Sequence, residues 1–189
     1  FNSGWDASGQ LPVRAINSGQ IGRWGAIDDL EGGTTGRHNL NLTFRSKGMN
    51  NSDFITQAYF SRYDFKLFSN FTFFLADPIN GDMIEQVDDR QLFGFKSEYS
   101  FYHNLGSFLV RATLGGGMRG DDTNVGLWKN SARERDQSLV DSRILERNFS
   151  LWGREEVFLN SQWKLMLGLR ADYFTFQVDD RLVGFSAHL

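Results

Sequence analysis

The chain has 189 residues, a formal net charge of −3 at pH 7, no cysteine and 18 phenylalanines. The absence of cysteine excludes disulfide bonds and thiolate metal sites, and the small net charge argues against nucleic acid as the main partner. No apolar run approaches the 18 residues that a membrane helix requires. Strands that are apolar on one face only escape such a search, so a β-type membrane protein stays open.

The N-terminal part of the chain changes from an irregular to a periodic pattern. Residues 1–36 are rich in glycine, so we expect a long ordered loop or strand ends joined by loops. Residues 38–46 alternate as a strand, residues 47–52 form a polar turn, and residues 53–75 are predicted to form one very long strand. The apolar side chains that share a face are Leu40, Leu42 and Phe44 in the first strand and Ile55, Tyr59, Tyr63, Phe65, Leu67, Phe71, Phe73 and Leu75 in the second.

A hairpin is predicted within residues 91–118, after a polar loop at residues 76–88. Apolar and polar side chains alternate through both arms, which is typical of strands with two unlike faces. With Asn104 and Leu105 as the tight loop, the apolar groups all fall on one side. The predicted cross-strand pairs are Phe101 with Phe108, Tyr99 with Val110, Phe95 with Leu114 and, on the opposite face, Glu98 with Arg111.

A second hairpin is predicted after a long charged loop at residues 119–143. Its arms are residues 144–159 and 163–178, and its turn is formed by residues 160–162. The predicted cross-strand pairs are Leu159 with Trp163, Val157 with Leu165, Leu151 with Ala171 and Phe149 with Tyr173. Another strand is expected to begin within residues 181–189.

Glu155 interrupts the apolar face of this second hairpin. In the predicted register its carboxylate lies opposite Leu167, among apolar side chains. Either a bulge redirects Glu155 or the register differs at this point. The alternation alone does not choose between the two.

The lengths of the segments favour a membrane barrel over a soluble sheet. The predicted strands have about 12 residues or more, beyond the usual 5–6 of soluble strands and enough to cross a bilayer as part of a closed sheet. Short turns alternate with long loops, as they do in outer-membrane barrels. The predicted fold class is therefore all-β, an antiparallel meander of about six or seven strands that forms part of a transmembrane β-barrel. Acidic doublets fall on the long-loop side: Asp28–Asp29, Asp88–Asp89, Asp121–Asp122 and Asp179–Asp180.

Several short motifs follow one another along the chain. They are residues 4–12 (GWDASGQLP) with Arg14, residues 21–25 (IGRWG), Ile27–Asp28, residues 31–33 (EGG), residues 70–75 (NFTFFL), Asp77–Pro78, Gly81–Asp82 and residues 163–174 (WKLMLGLRADYF). In their order and spacing, these motifs together resemble the TonB-dependent receptors of bacterial outer membranes, in particular those of Bacteroidetes-type bacteria. The resemblance extends over almost the whole chain.

This resemblance implies energy-coupled uptake of a scarce nutrient across the outer membrane. The nutrient could be an iron chelate, cobalamin, a glycan or a peptide. Such receptors have a 22-stranded barrel with a plugged lumen. Because the chain begins at Phe1 without an initiator Met or a signal peptide, we interpret residues 1–189 as an internal barrel segment. The plug, the N-terminal segment that couples to the TonB complex and the last strand are expected to be missing, so the segment should not transport alone.

The partners implied by the resemblance are outer-membrane lipid, a small nutrient ligand and the TonB complex. Ligand is expected to meet the long loops first, because their aromatic and charged side chains match the usual composition of a binding pocket. Alternatively, Trp5, Trp24 and Asp28 only pack and cap these loops. The candidate ligand contacts are Trp5, Asp6, Arg14, Arg23, Trp24, Asp28, Trp128 and Arg133, and the residues expected to face the lumen are Lys96, Glu98, Arg111, Arg170 and Asp172.

No pattern in the sequence indicates an enzyme. The three histidines lie in separate segments, no Ser–His–Asp arrangement is defined, and no Ca²⁺ loop is present among the acidic residues, so we predict no catalytic residue, metal or cofactor. His103 is expected to be a turn residue. The alternative function is a soluble or surface-attached all-β binding module, a β-sandwich or lipocalin-like barrel, whose apolar faces point inward. A transport barrel would instead direct its charged face to a wet lumen.

Overall fold

The chain forms one antiparallel sheet of eight strands that follow each other in sequence order. The structure, a computed structural model, describes residues 1–7, 10–182 and 185–188. The predicted meander is therefore confirmed. The elements are β1 (Asn2–Asp6), α1 (Val13–Asn17), β2 (Gly32–Lys47), a 3₁₀ turn (Met49–Asn51), β3 (Asp53–Ser69), β4 (Ile84–Leu105), β5 (Phe108–Ser131), β6 (Glu134–Phe158), β7 (Lys164–Asp180) and β8 (Phe185–His188).

Six of the strands are long and the two at the edges are short. Strands β2 to β7 have 16 to 25 residues, whereas β1 has five residues and β8 has four. The sequence predicted a strand in each of the six regions, but β2, β4, β5 and β6 are longer than predicted. The two short strands lie near the ends of the described chain. No helix among the described residues is long and apolar enough to cross a membrane.

The register between β6 and β7 is the predicted one. Leu151 pairs with Ala171 and Glu155 pairs with Leu167, without a bulge between them. The backbone N–H of Leu159 donates to the carbonyl oxygen of Trp163 at 3.1 Å, which closes the turn. Glu155 therefore does lie on the apolar side of the sheet.

The predicted register between β4 and β5 is wrong by four residues. Tyr99 pairs with Leu114 instead of Val110, and Glu98 lies across from Gly115 instead of Arg111. The turn consists of Gly106 and Ser107, because only a residue that tolerates a positive φ suits this tight turn, and Gly106 has φ 61°. A shift of four residues is even, so each side chain stays on its predicted face. The other two predicted apolar pairs change in the same way, to Phe101 with Ala112 and Phe95 with Met118.

The predicted charged loop at residues 119–143 is a continuation of β5 and β6. The two strands meet at a two-residue turn, Ala132 and Arg133, which have φ values of 50° and 67°. The prediction failed because charges occupy both faces of these strands, so no alternation of apolar and polar residues marks them. The strict alternation of short and long connections is lost with this loop.

Strand β3 is shorter than predicted. It ends at Ser69 instead of residue 75, and the loop that follows spans residues 70–83 instead of 76–88.

Two faces of the sheet can be followed from strand to strand through the register. We name them the Phe95 face and the Lys96 face, after two neighbours in β4. We call the end with the loop at residues 70–83 the upper end, and the end with the turn at residues 106–107 the lower end. At mid-height the Phe95 face carries Ala58, Met118, Phe149 and Tyr173, and the Lys96 face carries Gln57, Gly117, Ser150 and Asp172.

The two faces change character in the upper part of the sheet. There the Phe95 face carries ion pairs, such as Arg62 with Asp64 at 3.2 Å and Arg143 with Asp122 at 2.6 Å. At the same height the Lys96 face gains aromatic and aliphatic side chains, beside the charged pair of Arg90 and Asp88. The predicted apolar face of β3 is therefore wrong, since its odd residues lie on the Lys96 face and Phe54, Ala58 and Phe60 lie on the Phe95 face. The odd residues are Ile55, Tyr59, Tyr63, Phe65 and Leu67.

Within the described ranges, no second layer packs on the sheet. On the Phe95 face Leu151 is 71% exposed and Leu167 is 60% exposed. The buried apolar side chains are few and scattered among the described residues: Ala15, Phe68, Met83, Val110 and Ala112. The residues described here therefore do not enclose a core of the kind found in a β-sandwich.

Candidate ligand-binding surface

An aromatic patch lies on the upper part of the Lys96 face. It consists of Trp5, Phe65 and Tyr63, and we call it the upper aromatic patch. The ring centroids of Trp5 and Phe65 are 6.0 Å apart, and those of Phe65 and Tyr63 are 6.3 Å apart with nearly parallel planes. The pairing of β1 with β2 places Trp5 opposite Gly33. A Cβ atom at Gly33 would lie 2.6 Å from the Trp5 ring, so a glycine is needed here.

An open groove of about 610 Å³ runs beside the upper aromatic patch. Its floor is apolar and aromatic, from Tyr63 and Phe65 on β3 to Val125 and Leu127 on β5, and Gln86 adds a polar group from β4. Ring faces and aliphatic side chains supply contact area to a bound molecule, and a small number of polar groups supplies orientation. The composition of the groove therefore suits a small organic ligand.

Two charged side chains border the patch and keep polar atoms without a partner. Asp88 lies across from Phe65, and Arg90 lies across from Tyr63. Nη2 of Arg90 donates to Oδ2 of Asp88 at 2.9 Å. Within the part of the chain that the structure describes, Oδ1 of Asp88 and Nε of Arg90 are buried and have no hydrogen-bond partner. The Asp88–Arg90 pair thus places one negative and one positive group at the border of the patch.

Asp28 and Arg133, two of the predicted ligand contacts, tie loops together. Oδ2 of Asp28 accepts from Nδ2 of Asn70 at 2.8 Å, and its Oδ1 accepts from the backbone N–H of Leu30. Nε of Arg133 donates to the carbonyl oxygen of Leu30 at 2.8 Å, and its guanidinium lies 4.8 Å from the centre of the Phe68 ring. The contacts of Asp28 match the alternative interpretation given above, in which Asp28 caps a loop.

Trp128 lies on the Phe95 face, on the side of the sheet opposite Trp5. The guanidinium of Arg135 stacks on its ring, 3.6 Å from the ring centre. Arg135 also donates to both oxygens of Glu85, at 2.7 and 2.8 Å. The structure therefore does not bring Trp5 and Trp128 into one pocket.

The other predicted contacts lie on exposed chain segments at the upper end. Asp6 ends β1, Arg14 belongs to the short helix α1, and Trp24 is 89% exposed in the loop that follows. The guanidinium of Arg23 is 5.9 Å from the centre of the Trp24 ring. None of these four side chains lines the groove beside the upper aromatic patch.

Two carboxylates hold the loop at residues 70–83 in a fixed shape. Asp82 accepts hydrogen bonds from the backbone N–H groups of Ala76 and Asp77 and from the hydroxyl of Thr72. Asp77 accepts from the backbone N–H groups of residues 79 and 80 and from the Lys129 ammonium at 2.8 Å. Hydrogen bonds from the Asn80 backbone and from Lys129 hold the pKa of Asp77 well below its ordinary value. The Ala76 backbone and the Thr72 hydroxyl lower the pKa of Asp82.

The histidines do not form a metal site in the described part of the chain. There, no three His, Asp or Glu side chains come close enough together to hold an ion. His103 is a strand residue of β4, which corrects its predicted place in a turn, and its Nε2 lies 3.6 Å from Oε1 of Glu155. His38 is an exposed residue of β2, and the side chain of His188 lies outside the described ones.

Sequence reasoning missed Tyr63 and Phe65 as candidate contacts. Both were assigned to the apolar face because they alternate in phase with Ile55 and Tyr59. The alternation is correct, but it does not say which face of the sheet a set of residues joins. Only the register with β4 places them across from Arg90 and Asp88.

Comparison with known proteins gives a structural match only. No protein-family model matches the sequence, and no curated protein matches it. The ferric citrate transporter FecA, solved in its unliganded form, superposes with a TM-score of 0.76 at 11% sequence identity. The match covers 100% of this chain and 28% of the transporter chain. At this identity the likeness concerns the fold alone, so the chain has the fold of one section of that transporter.

Proposed function

We propose that residues 1–189 are a barrel section of a TonB-dependent receptor in the bacterial outer membrane. The observation that supports this most directly is the distribution of charge at mid-height. There the Phe95 face is apolar, while the Lys96 face carries charges such as the Arg170–Asp172 pair at 2.7 Å. A bilayer on one side and a wet lumen on the other suit these two faces.

The apolar part of the Phe95 face has the height of a bilayer. In β4 its side chains are uncharged from Phe93 to Phe101, and only His103 interrupts them before Leu105. This stretch measures about 40 Å along the strand, or about 28 Å in height at a tilt of about 45°. The hydrocarbon core of a bilayer is about 30 Å thick. Aromatic side chains lie near both borders: Phe93, Phe149 and Tyr173 above, and Phe108 and Trp163 below.

The residues predicted to face the lumen share one face of the sheet. All five lie on the Lys96 face, where the register connects them from β4 to β7. Charges that face lipid at mid-bilayer are unfavourable by roughly 2–4 kcal/mol for Arg and Lys. A wet interior removes that cost, so we assign Lys96, Glu98, Arg111, Arg170 and Asp172 to the lumen.

The alternative function, a soluble binding module, is less well supported. A β-sandwich covers its apolar face with a second sheet, and the described residues form a single sheet. Strands of up to 25 residues also exceed what a small soluble sheet uses. The exposed Phe95 face needs an apolar surrounding, and a bilayer supplies one.

The function we propose is energy-coupled uptake of a small nutrient. The nutrient would be an iron chelate, cobalamin, a glycan or a peptide, and the coupling would run through the TonB complex. We propose that the nutrient binds at the upper aromatic patch and in the groove beside it. The exposed side chains Asp6, Arg14, Arg23 and Trp24 would meet it on the way. The relation to Bacteroidetes-type receptors belongs to the same proposal.

The test is uptake by cells that carry the natural full-length protein. Radiolabelled members of the four nutrient classes are offered with and without a protonophore, in cells with and without the TonB complex. We expect accumulation of one class that requires both the proton gradient and TonB. Accumulation that needs neither would identify a passive pore, and no accumulation of any class would reject the transport function.

A second measurement tests the binding surface. Phe65→Ala and Trp5→Ala are expected to weaken nutrient binding roughly threefold to tenfold, because each removes one stacked ring from the patch. The matched control is Phe44→Ala, which removes an exposed ring from the Phe95 face. Single alanine variants of Arg14 and Arg23 test the exposed loop. If every loss of binding follows a loss of folded protein, the site lies elsewhere.

A further inference from the structure

A histidine and a carboxylate lie together on the Phe95 face, in its otherwise uncharged part. Oε1 of Glu155 on β6 and Nε2 of His103 on β4 approach to 3.6 Å across β5. This separation exceeds the length of a hydrogen bond, so each group keeps hydrogen-bonding capacity for another partner. About half of the Glu155 side chain and a third of the His103 side chain are exposed. Both groups can therefore still bind a polar molecule.

A groove of about 390 Å³ adjoins this pair. Its floor is low because Ala112 has a small side chain and Gly153 has none. Leucines form its walls, and Leu169 is 87% exposed. The groove and the pair are continuous, since His103 and Glu155 contribute to the same lining. The surface thus combines an apolar groove with a polar end, which His103 and Glu155 form.

The pair lies close to the lower border of the apolar part. Glu155 precedes the end of β6 by three residues, and His103 precedes the end of β4 by two. At about 3.3 Å per residue and a tilt of about 45°, both groups are within roughly 10 Å of the lower turns. Outer-membrane barrels have their short turns in the periplasm. Under the proposed function, on which this inference depends, the lower end is therefore periplasmic, and the pair lies at the headgroup level of that leaflet.

We propose that this surface binds one phospholipid with a zwitterionic phosphoethanolamine headgroup. The ammonium group of the lipid donates to the Glu155 carboxylate, and its phosphate accepts from the His103 ring. One acyl chain lies in the groove between Leu114 and the leucines of β7. An anionic acceptor beside a nitrogen donor is the complement of a headgroup that carries a cation and an anion.

The chemistry of the pair selects among the common headgroups. A choline group has no N–H to donate to Glu155, and a glycerol headgroup has no cation for it. A headgroup with net negative charge would place its phosphate near the Glu155 carboxylate without compensation. Ethanolamine supplies both the positive charge and the N–H donors.

The test is lipid retention by the full-length protein, measured by native mass spectrometry. The protein is inserted into bilayers that contain equal amounts of palmitoyl-oleoyl phosphatidylethanolamine, phosphatidylglycerol and phosphatidylcholine, and the lipids that remain bound after extraction are counted. We expect one retained phosphatidylethanolamine, and roughly threefold to fivefold less in Glu155→Gln and in His103→Gln. The control is Glu98→Gln, which removes a carboxylate from the Lys96 face of β4, on the other side of the sheet, and should retain the lipid.

Other outcomes would overturn the inference. Equal retention by wild type and Glu155→Gln, or preferential retention of phosphatidylglycerol or phosphatidylcholine, would remove the ethanolamine site. A dimer that dissociates on Glu155→Gln would assign the pair to a second copy of the protein. A wild-type protein that inserts and transports without retaining this lipid would reject only the lipid site. Failure of the wild type to insert would reject both proposals.

Discussion

Glu85 is a buried carboxylate on the upper part of the Phe95 face. It is 2% exposed, and Arg135, Asn130 and Lys66 all direct nitrogen atoms at it. The bidentate contact with Arg135 at 2.7 and 2.8 Å is the strongest of these. Because Arg135 comes from β6 and Lys66 from β3, this single carboxylate connects strands on both sides of β4. It fixes the upper end of the sheet, where few apolar contacts do so.

Replacing Glu85 by alanine is expected to destabilise the upper hairpin of β5 and β6. The change leaves the Arg135 guanidinium and the Asn130 amide without their acceptor, at a cost of roughly 1–3 kcal/mol. Asp64→Ala is the control, because it breaks the exposed Arg62–Asp64 pair and should cost about 0–1 kcal/mol. Hydrogen exchange of residues 120–140 in the folded protein measures the difference. Equal protection in the two variants would contradict a role of Glu85 in holding the hairpin.

Single residues also explain where the turns lie. Gly106 has φ 61° and no atom near the position of a Cβ, whereas Ala132 adopts φ 50° with a Cβ present. A left-handed conformation costs a non-glycine residue about 1–2 kcal/mol. Ala132→Gly is therefore expected to stabilise the protein by about 1 kcal/mol, and Gly106→Ala to destabilise it by a similar amount. Urea unfolding of the two variants measures both effects, and changes of the same sign would argue against this explanation.

At the scale of elements, the loop at residues 70–83 is held by charge and not by burial. Phe71, Leu75 and Ile79 are all more than 70% exposed, and the loop keeps its shape through hydrogen bonds to Asp77 and Asp82. Both carboxylates have a lowered pKa, so their contribution to stability is present above the ordinary pKa of Asp. It is lost as the pH falls through the lowered values.

This loop is expected to stay ordered at about pH 4, where an ordinary Asp is half protonated. It should loosen only below that pH, and Asp82→Asn should loosen it at neutral pH as well. Hydrogen exchange of the backbone N–H groups of Ala76, Asp77 and Asn80 measures this directly. The exposed turn at residues 106–107 contains no carboxylate and provides the comparison. Loosening of the loop at pH 5 in the wild type would contradict the assignment.

The turns also show what the sequence can and cannot predict about elements. The β6–β7 register was predictable because Leu159 and Trp163 bracket an obvious polar turn. The β4–β5 register was not, because alternation is unchanged by an even shift and two different turns satisfy it. The choice of Gly106 over Asn104 depends on backbone conformation, which alternation does not report.

At the scale of the whole molecule, the alternation of apolar and polar residues predicted the all-β fold class. It did not predict which face of the sheet each set of residues joins. Most odd residues of β3 between Ile55 and Leu67 are apolar or aromatic; the exceptions are Gln57 and Ser61. These odd residues lie on the Lys96 face. Their neighbours there are charged at mid-height and aromatic in the upper part of the sheet. The candidate site was correspondingly hard to predict, because the upper aromatic patch joins residues about 60 positions apart in the chain, Trp5 and Phe65.

Substitutions on the two faces should affect membrane assembly differently. Phe95→Lys and Leu167→Lys introduce a charge that faces lipid, which is unfavourable by roughly 2–4 kcal/mol at mid-bilayer. Both are expected to reduce the amount of folded full-length protein in the outer membrane. Lys96→Ala, on the opposite face of the same strand, should assemble normally. Surface labelling and heat-modified gel mobility measure assembly, and equal assembly of all three variants would remove the assignment of the Phe95 face to lipid.

Under the proposed function, the change of the Phe95 face from apolar to charged would also fix the depth at which the sheet lies in a bilayer. One row of side chains corresponds to about 5 Å of height at a tilt of about 45°. A downward displacement by one row would immerse the charges of Arg62 and Asp122, and an upward displacement would lift Phe93 and Phe149 into water. Both displacements would be opposed, so the proposed membrane location implies that the strands themselves determine the immersion depth. The groove beside the upper aromatic patch would then stay at a constant height above the membrane surface.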